Sequence, residues 1–463
     1  MKKLFFDNLG LLIIFPLILN FFRNLLTSDG FLNFINFYDF TSSALIFLFL
    51  LSLGYLNKLI NSTFTITFGI ILYLVSFFTF ESIVYIFTTQ INLHKTFVLV
   101  NGLWLIYLIL KLKRKIYILF PVTTFILMRV FNFMHVNEIT FNKNLIGDVV
   151  DVFLPNITKI YEINLYHSLT NPVFEGYPQF MSYLDALIFK LSFGLENYKF
   201  GMPTAFVFYF LFLLLFFESK LNFNNKVNAS LFFTILIFNS GWLQFLFLTS
   251  LMNERFVSYL FLGILITIFS NNKEQNSKLV FFIFSFIFIT KQFFSILLFV
   301  CFLAFMANKK YRKNSYLLLS AFLLRELYHL TYLRGFQKDH HIVQINISDT
   351  ILDIVLFRNL SVENISIILN NLFTDKPATY LVVLFFTISS LSRILFRSDN
   401  IYEVNLYLIL SLLNFLFIFL LYISVWRDME LESPIRYIYS FIPIYIIYIY
   451  MNLDRSVSKA FDT

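Results

Sequence analysis

Residues 146–191 read IGDVVDVFLPNITKIYEINLYHSLTNPVFEGYPQFMSYLDALIFKL, and they form the longest polar interruption in the first half of the chain. Apolar runs of about 15–22 residues lie on both sides of this stretch and recur along the chain. Runs of this length are typical of helices that cross a lipid bilayer. The stretch gathers the carboxylates of Asp148, Asp151, Glu162 and Asp185. Carboxylates at the edge of membrane helices are candidates for chemistry at a bilayer.

The composition predicts an all-α, polytopic membrane protein. Of 463 residues, 59% are hydrophobic, 66 are Phe and only 13% are charged. A soluble protein needs more polar surface than this. The apolar runs are continuous and do not alternate, so a transmembrane β-barrel is excluded. Although the net charge is +8, the basic residues lie in short loops, where they set topology, and no nucleic-acid partner is predicted.

About fourteen membrane spans are predicted. The apolar runs lie near 9–22, 41–57, 64–87, 96–110, 116–133, 200–217, 229–250, 256–270, 279–290, 292–307, 315–333, 378–396, 401–424 and 437–452. The first run comes after a basic start, as in a signal peptide, but no small-residue cleavage site comes after the run. We therefore interpret it as a membrane helix. The single cysteine, Cys301, excludes a disulfide within the chain and a metal cluster of cysteines.

Positive charges predict the orientation of these spans. Lys2 and Lys3 place the N-terminus in the cytoplasm, and alternation then places the basic clusters 111–115 and 309–313 on the same side. Both termini are therefore predicted to be cytoplasmic in a multi-pass protein of the plasma (inner) membrane. Two long loops, 135–199 and 334–377, are predicted to face outward.

Two apolar segments decide whether this alternation holds. Segment 179–195 carries Asp185 and Lys190 in its middle, which are costly at bilayer depth, so we expect an amphipathic helix on the outer surface. Segment 279–306 has basic residues at both flanks, so we expect a hairpin that turns at Lys291.

Several charged side chains are candidates for chemistry on the outer side. Asp148 and Asp151 share one face of a helix and are suited to a general base with an orienting partner, or to a cation site. The alternative is that the two carboxylates only stabilise the N-terminus of a helix. Pro155 predicts that a helix begins just before it, because proline is favoured in the first turn. Glu254, beside Arg255, is a further candidate acid, or marks the membrane boundary.

The candidate cations are Lys291, Arg325 and Arg436. Lys291 is suited to a lipid phosphate, although snorkelling to the headgroups explains it equally well. Arg325 precedes Glu326, so the two charges are either a self-compensating pair or part of a site. Arg436 precedes Tyr437 in a polar outer turn and is suited to binding phosphate through two hydrogen bonds. No metal site is predicted, and no nucleotide-binding or serine-hydrolase motif is present.

These features resemble the GT-C superfamily of integral-membrane glycosyltransferases, which includes the lipid A aminoarabinose transferases and the protein O-mannosyltransferases. The resemblance rests on five stretches and covers residues 129–453. They are GDVVDVFLPNITKIYEINLYHSL, EGYPQFMSYLDALIFKLSFG, MNERFVSYLFLGILI, FIFITKQFFSILLFV and SPIRYIYSFIPIYIIYIY. It implies a catalytic core at 116–463 of GT-C type, with surface helices in the first outer loop, and extra transmembrane helices at 1–115.

The resemblance also implies a reaction, in which a sugar moves from a polyprenyl-phosphate-linked donor to a cell-envelope acceptor with inversion. The acceptor is a glycan, a lipid or a protein, and membrane lipids surround the site. A divalent metal ion is left open, and no other cofactor is implied. Relatives often have Asp-Glu where this chain has Asp148-Val149, so either Asp148 or Asp151 is the base.

The implied site has three sets of residues. The catalytic acids are Asp148, Asp151 and Glu254; the donor phosphate lies against Lys291, Arg325 and Arg436; and the substrate pocket includes His167, Tyr177 and Tyr437. Two other functions fit a membrane protein with large outer loops. One is an O-antigen-type polymerase or ligase, which depends on loop arginines. The other is a lipid-linked oligosaccharide flippase or other transporter, which usually has midplane charges and repeats that this sequence lacks.

Overall fold

The structure, a computed structural model, describes residues 37–60, 65–90, 92–111, 116–135, 153–170, 179–191, 202–218, 299, 301–303, 305–307, 312–328, 356 and 361–374. Within these ranges every regular element is helical and no strand is found. The all-α class predicted from the composition is therefore confirmed for the described part of the chain.

Ten helices are named here in chain order. They are α1 (Phe37–Ile60), α2 (Ile66–Phe87), α3 (Leu93–Lys111), α4 (Ile116–His135), α5 (Leu154–Glu162), α6 (Leu165–Thr170), α7 (Phe180–Leu191), α8 (Met202–Glu218), α9 (Arg312–Tyr328) and α10 (Val362–Thr374). Helices α1–α8 belong to one compact unit, and α9 and α10 belong to a second. Six predicted spans correspond to α1–α4, α8 and α9, with ends that differ by five residues at most.

Among the described helices, three are long and apolar enough to cross a membrane. They contain the segments Ser42–Ile60, Ile66–Tyr85 and Leu93–Lys111. Shorter apolar stretches lie in α4, α8 and α9. Most of the remaining predicted spans lie outside the described residues, so the number fourteen stays a prediction.

The N-terminus of α2 is capped by a residue far away in sequence. The Glu218 carboxylate at the end of α8 accepts hydrogen bonds from Ile66 N (2.6 Å) and Thr67 N (2.7 Å). Thr65 Oγ1 accepts the next one, from Phe68 N at 3.1 Å. The first N–H groups of a helix have no partner within the helix, and a negative charge there is favoured by the helix dipole. Glu218 therefore fixes the end of α8 against the start of α2.

Helices α1 and α2 cross at two glycines. A Cβ on Gly54 would lie 2.5 Å from the Ile66 carbonyl oxygen, and one on Gly69 would lie 2.9 Å from Gly54 Cα. Asn57 Nδ2 donates to Gly69 O at 3.0 Å across the same crossing. Small residues allow helix backbones to approach closely, which increases van der Waals contact between membrane helices. The crossing depends on both glycines.

Apolar clusters hold the two ends of this bundle. Leu56, Leu108 and Ile118 pack together with Trp104, so the end of α1, the end of α3 and the start of α4 meet. Closer to the opposite end, aromatic rings of α1, α2, α3, α4 and α7 lie in contact. These pairs are Phe49–Phe97 at 5.9 Å, Phe97–Phe125 at 5.9 Å, Phe77–Phe97 at 5.3 Å and Phe77–Tyr183 at 5.7 Å between ring centroids.

Helix α1 also joins the two sides of the predicted boundary at residue 115. It packs against α4 and α8 as well as against α2. The rings of Phe47 on α1 and Phe210 on α8 lie 5.1 Å apart. The helices before residue 115 therefore share one packed interior with those that follow it directly.

In the second unit, α9 begins in a basic segment and carries contacts of its own. Arg312 Nε donates to Met306 O at 3.3 Å, and the rings of Phe299 and Phe322 lie 5.5 Å apart. Helix α10 presents Val362 and Glu363 to solvent at its start, and Asn364 N donates to Ser361 Oγ at 3.0 Å.

Candidate functional site

The described part of the first long loop contains the short helices α5, α6 and α7, which we call the loop platform. Helix α5 begins at Leu154 with Pro155 in its first turn, as the sequence predicted, because proline lacks only an N–H that has no partner there. One face of α5, with Ile157 and Ile160, is buried, while Glu162 is exposed. Helix α5 is amphipathic, and it packs against α6 and α7.

Helix α7 lies inside the protein. Its 12 residues span about 18 Å, well short of the ~30 Å hydrocarbon core, so this helix does not cross a membrane. Lys190 is half-exposed, and the other residues of α7, including Asp185, are buried. The sequence predicted an amphipathic helix on the surface, and this part of the prediction is wrong for α7. The reason is that α5 and the aromatic rings of α2 cover the faces of α7.

A buried carboxyl group joins the loop platform to α2. Glu81 is fully buried; its Oε1 accepts a hydrogen bond from Tyr85 Oη at 2.8 Å, and its Oε2 accepts one from Tyr183 Oη at 2.5 Å. Tyr85 Oη in turn accepts from Leu165 N at 3.2 Å, where α6 begins. Buried polar groups need partners, and here each group supplies one for the next. The network therefore fixes α6 and α7 against α2.

The phenol of Tyr183 keeps its proton and acts as the donor in this network. Burial raises the pKa of Tyr183 well above its usual value, and the Glu81 carboxylate beside it raises the pKa further. The rings of Phe77 and Phe78 lie 5.7 Å and 5.2 Å from the Tyr183 ring. The hydrogen bond to Glu81 is therefore made in a site from which water is largely excluded.

A second polar link holds the turn between α5 and α6. Asn164 Nδ2 donates to Thr89 O at 2.6 Å, just after the end of α2. Asn164 Oδ1 accepts from His167 N at 2.8 Å, so this side chain also caps α6. Ser168 Oγ donates to Gln179 Oε1 at 2.8 Å and joins α6 to the start of α7. All three short helices are thus tied to one another or to α2 by side-chain hydrogen bonds.

Three basic side chains from three helices meet beside the loop platform, and we call them the cation cluster: His94 of α3, Arg129 of α4 and Lys190 of α7. Arg129 Nη1 donates to Lys190 O at 3.0 Å, and Lys190 Nζ lies 4.3 Å above the centre of the Tyr161 ring. The charges of Arg129 and Lys190 both act on His94. Partial burial, and then the charge of Arg129, lower the pKa of Lys190.

Most of the site predicted from sequence lies outside the described residues. This holds for Asp148, Asp151, Glu254, Lys291, Arg436, Tyr177 and Tyr437. His167 lies in α6 and is half-exposed, while Arg325 lies in the last two turns of α9. The convergence of these residues stays a prediction. Within the described ranges, no group of three His, Cys, Asp or Glu residues is arranged to hold a metal ion.

Sequence reasoning gave little weight to the residues that anchor the loop platform. Glu81 is a lone acid in the apolar run 64–87, and an ionisable residue inside a predicted span is itself a signal of function or of a buried partner. Tyr85 lies four residues later on the same helical face, so the pair was detectable from spacing. Tyr183 lies 102 residues away from Glu81 and had no local signal.

The comparisons with known proteins gave no relative: no family model, no curated protein and no solved structure matches this chain.

Proposed function

We propose that the chain is a membrane glycosyltransferase of GT-C type that transfers a sugar from a polyprenyl-phosphate-linked donor to a cell-envelope acceptor. The reaction takes place at the outer face of the plasma membrane. The observation that carries the proposal is the loop platform: the first long loop forms short helices that are fixed by buried hydrogen bonds to an apolar helix, α2. Catalytic groups on a loop need such a rigid support to hold their geometry.

The proposed base lies in the sequence just before this platform. Asp148 and Asp151 come shortly before α5, which begins at Leu154. In the proposed step, Asp148 takes the proton of the acceptor hydroxyl, and the hydroxyl oxygen attacks the anomeric carbon. The bond between that carbon and the phosphate oxygen breaks, the configuration inverts, and polyprenyl phosphate leaves.

The leaving group gains negative charge, which the proposal assigns to basic side chains. Lys291 and Arg436 neutralise the departing phosphate, and Arg325 supports them. Glu254 serves as a second acid, while His167, Tyr177 and Tyr437 line the sugar or acceptor pocket. The lipid carrier delivers an activated sugar, so no nucleotide-binding fold is required.

The decisive experiment compares Asp148→Asn with Glu162→Gln in membrane vesicles. Each variant removes one carboxylate, but Glu162 is exposed at the end of α5 and has no proposed role. The probe is a set of polyprenyl-phosphate sugars labelled in the sugar, with envelope extract as the acceptor. We expect Asp148→Asn to lose transfer and release of polyprenyl phosphate, while Glu162→Gln and the wild-type chain retain both.

The outcomes separate the proposal from its alternatives. Full activity of Asp148→Asn, with Asp151→Asn also active, would remove the proposed base. Polyprenyl-diphosphate-linked sugars are tested in parallel, and transfer from these donors with release of polyprenyl diphosphate, but none from the monophosphate donors, would indicate a polymerase or ligase. Movement of the labelled lipid across the vesicle membrane without any cleavage would indicate a flippase.

A further inference from the structure

The cation cluster brings positive charges from three helices together. Arg129 and Lys190 lie on different helices and meet through an Arg129 Nη1 to Lys190 O hydrogen bond of 3.0 Å. In the described part of the chain, the charge that shifts the pKa of Lys190 is that of Arg129, and no carboxylate contributes to the shift. The hydrogen bond uses one of the five N–H donors of the guanidinium. Arg129 is exposed, while His94 and Lys190 are half-buried. Neighbouring cations repel one another, and an anion bound between them relieves this repulsion.

The surface next to the cluster is strongly apolar. On α4, Ile126, Leu127 and Val130 surround Arg129 and are between 51% and 57% exposed. On α3, Val98 and Leu99 follow His94 by about one turn and are 50% and 53% exposed. In the apolar segment of α3, only 22% of the residues are buried inside the protein. A membrane helix with such a surface faces hydrocarbon chains, so the cluster lies where an apolar surface meets polar groups.

We propose that the cation cluster binds the phosphate of an anionic phospholipid, whose acyl chains lie along the exposed apolar surfaces of α3 and α4. Arg129 presents its guanidinium fork to the phosphate, and Lys190 is held over the Tyr161 ring as the second cation. His94, at the start of α3, lies beside these two cations. The site requires that these helices cross a membrane, and it does not depend on the proposed glycosyl transfer.

This lipid would join three helices that have few direct links. Arg129 is on α4, Lys190 is on α7 of the loop platform, and His94 is on α3. A phosphate bound to all three side chains would hold the loop platform against the membrane helices from the lipid side. Glu81 and Asn164 hold the platform from inside the protein, so the two attachments act at different places.

The test is lipid titration of the full-length protein in a neutral detergent, with bound lipid counted by native mass spectrometry. The probes are phosphatidylglycerol, phosphatidylcholine and inorganic phosphate. We expect wild-type protein to retain phosphatidylglycerol over phosphatidylcholine. Each of Arg129→Gln and Lys190→Gln should weaken phosphatidylglycerol retention about fivefold, and the double variant about 25-fold.

Matched variants separate a specific site from general charge. Lys111→Gln removes the same charge at the opposite end of α3 and should leave retention unchanged. Exchanging the two cations, as Arg129→Lys with Lys190→Arg, keeps the charge but moves the guanidinium fork, so retention should fall between wild type and the double Gln variant. Unchanged retention in the double Gln variant would overturn the proposal, as would an equal loss in Lys111→Gln.

Two competition results also decide the nature of the ligand. If inorganic phosphate displaces phosphatidylglycerol at comparable concentration, the site binds small anions and the lipid proposal is overturned. If farnesyl phosphate, a short polyprenyl phosphate, displaces it far better than phosphatidylglycerol itself does, the site belongs to the glycosyl donor and the proposal is again overturned. Should the Gln variants fail to fold, equal binding of the two phospholipids to wild-type protein would still refute it.

Discussion

One added methyl group at the crossing of α1 and α2 tests how closely these helices are fitted. In Gly54→Ala, the new Cβ would lie 2.5 Å from Ile66 O and 2.7 Å from Ile70 Cγ1, whereas ordinary contacts begin at 3.4 Å. Overpacking of this kind destabilises the folded state by ~1–3 kcal/mol, whereas replacing a glycine inside a helix with alanine stabilises the helix by ~0.5–1 kcal/mol. If the helices part, the Asn57–Gly69 hydrogen bond, worth ~0.5–1.5 kcal/mol, is also weakened. We expect a net loss of ~1–2 kcal/mol for Gly54→Ala.

The assay is thermal unfolding in detergent micelles, followed by the helical circular dichroism signal. Gly102→Ala on α3 is the matched control, because a Cβ there meets no atom within 4 Å and only the gain in helix propensity remains. For a unit of this size, each kcal/mol shifts Tm by ~2–4 °C, so Gly54→Ala should melt ~2–8 °C below wild type. Gly69→Ala should behave in the same way. If Gly54→Ala and Gly102→Ala melt at the same temperature, the close approach of the backbones does not stabilise the bundle.

Three further predictions concern the loop platform, the cap of α2 and the topology. Tyr183→Phe removes a donor to a fully buried carboxyl group, so it should cost ~1–3 kcal/mol and make the loop platform more sensitive to protease; wild-type resistance would contradict this. Glu218→Gln keeps one of the two acceptors but loses the other, together with the charge at the α2 N-terminus. We therefore expect it to lower the free energy of unfolding by ~1–2 kcal/mol, measured as a lower Tm, with a larger loss for Glu218→Ala. A cysteine at Asn142 should react with a membrane-impermeant thiol reagent from outside the cell, and one at Gln275 should not; the native Cys301 is 1% exposed and gives little background.

The bounds of the long helices were predictable from the sequence because membrane helices are apolar all round and end in polar residues. The run at 64–87 corresponds to α2 at Ile66–Phe87, and the run at 116–133 to α4 at Ile116–His135. Pro155 likewise predicted the start of α5, since its missing N–H costs nothing in a first turn. These signals are local, so a single sequence contains them.

The contacts that arrange the helices were not predictable in this way. Glu218 caps α2 from 152 residues away, and Tyr183 donates to Glu81 across 102 residues. Neither contact has a spacing that repeats or a motif that marks it. Lys190 shows the same limit, since its charge in an apolar run predicted a surface helix. The structure instead places this residue at the edge of a buried helix, with its side chain over Tyr161.

The distant cap on α2 has a consequence for how the chain is made. A ribosome adds ~5–20 residues per second, so the 152 residues between Ile66 and Glu218 take on the order of ten seconds. During that interval the nascent α2 is capped only by its own Thr65, and the N–H groups of Ile66 and Thr67 lack the Glu218 carboxylate as acceptor. Insertion of the early helices and their final assembly are therefore separate events in time. A nascent chain stalled before residue 218 would therefore expose an incompletely capped N-terminus of α2 to a bound insertase or chaperone.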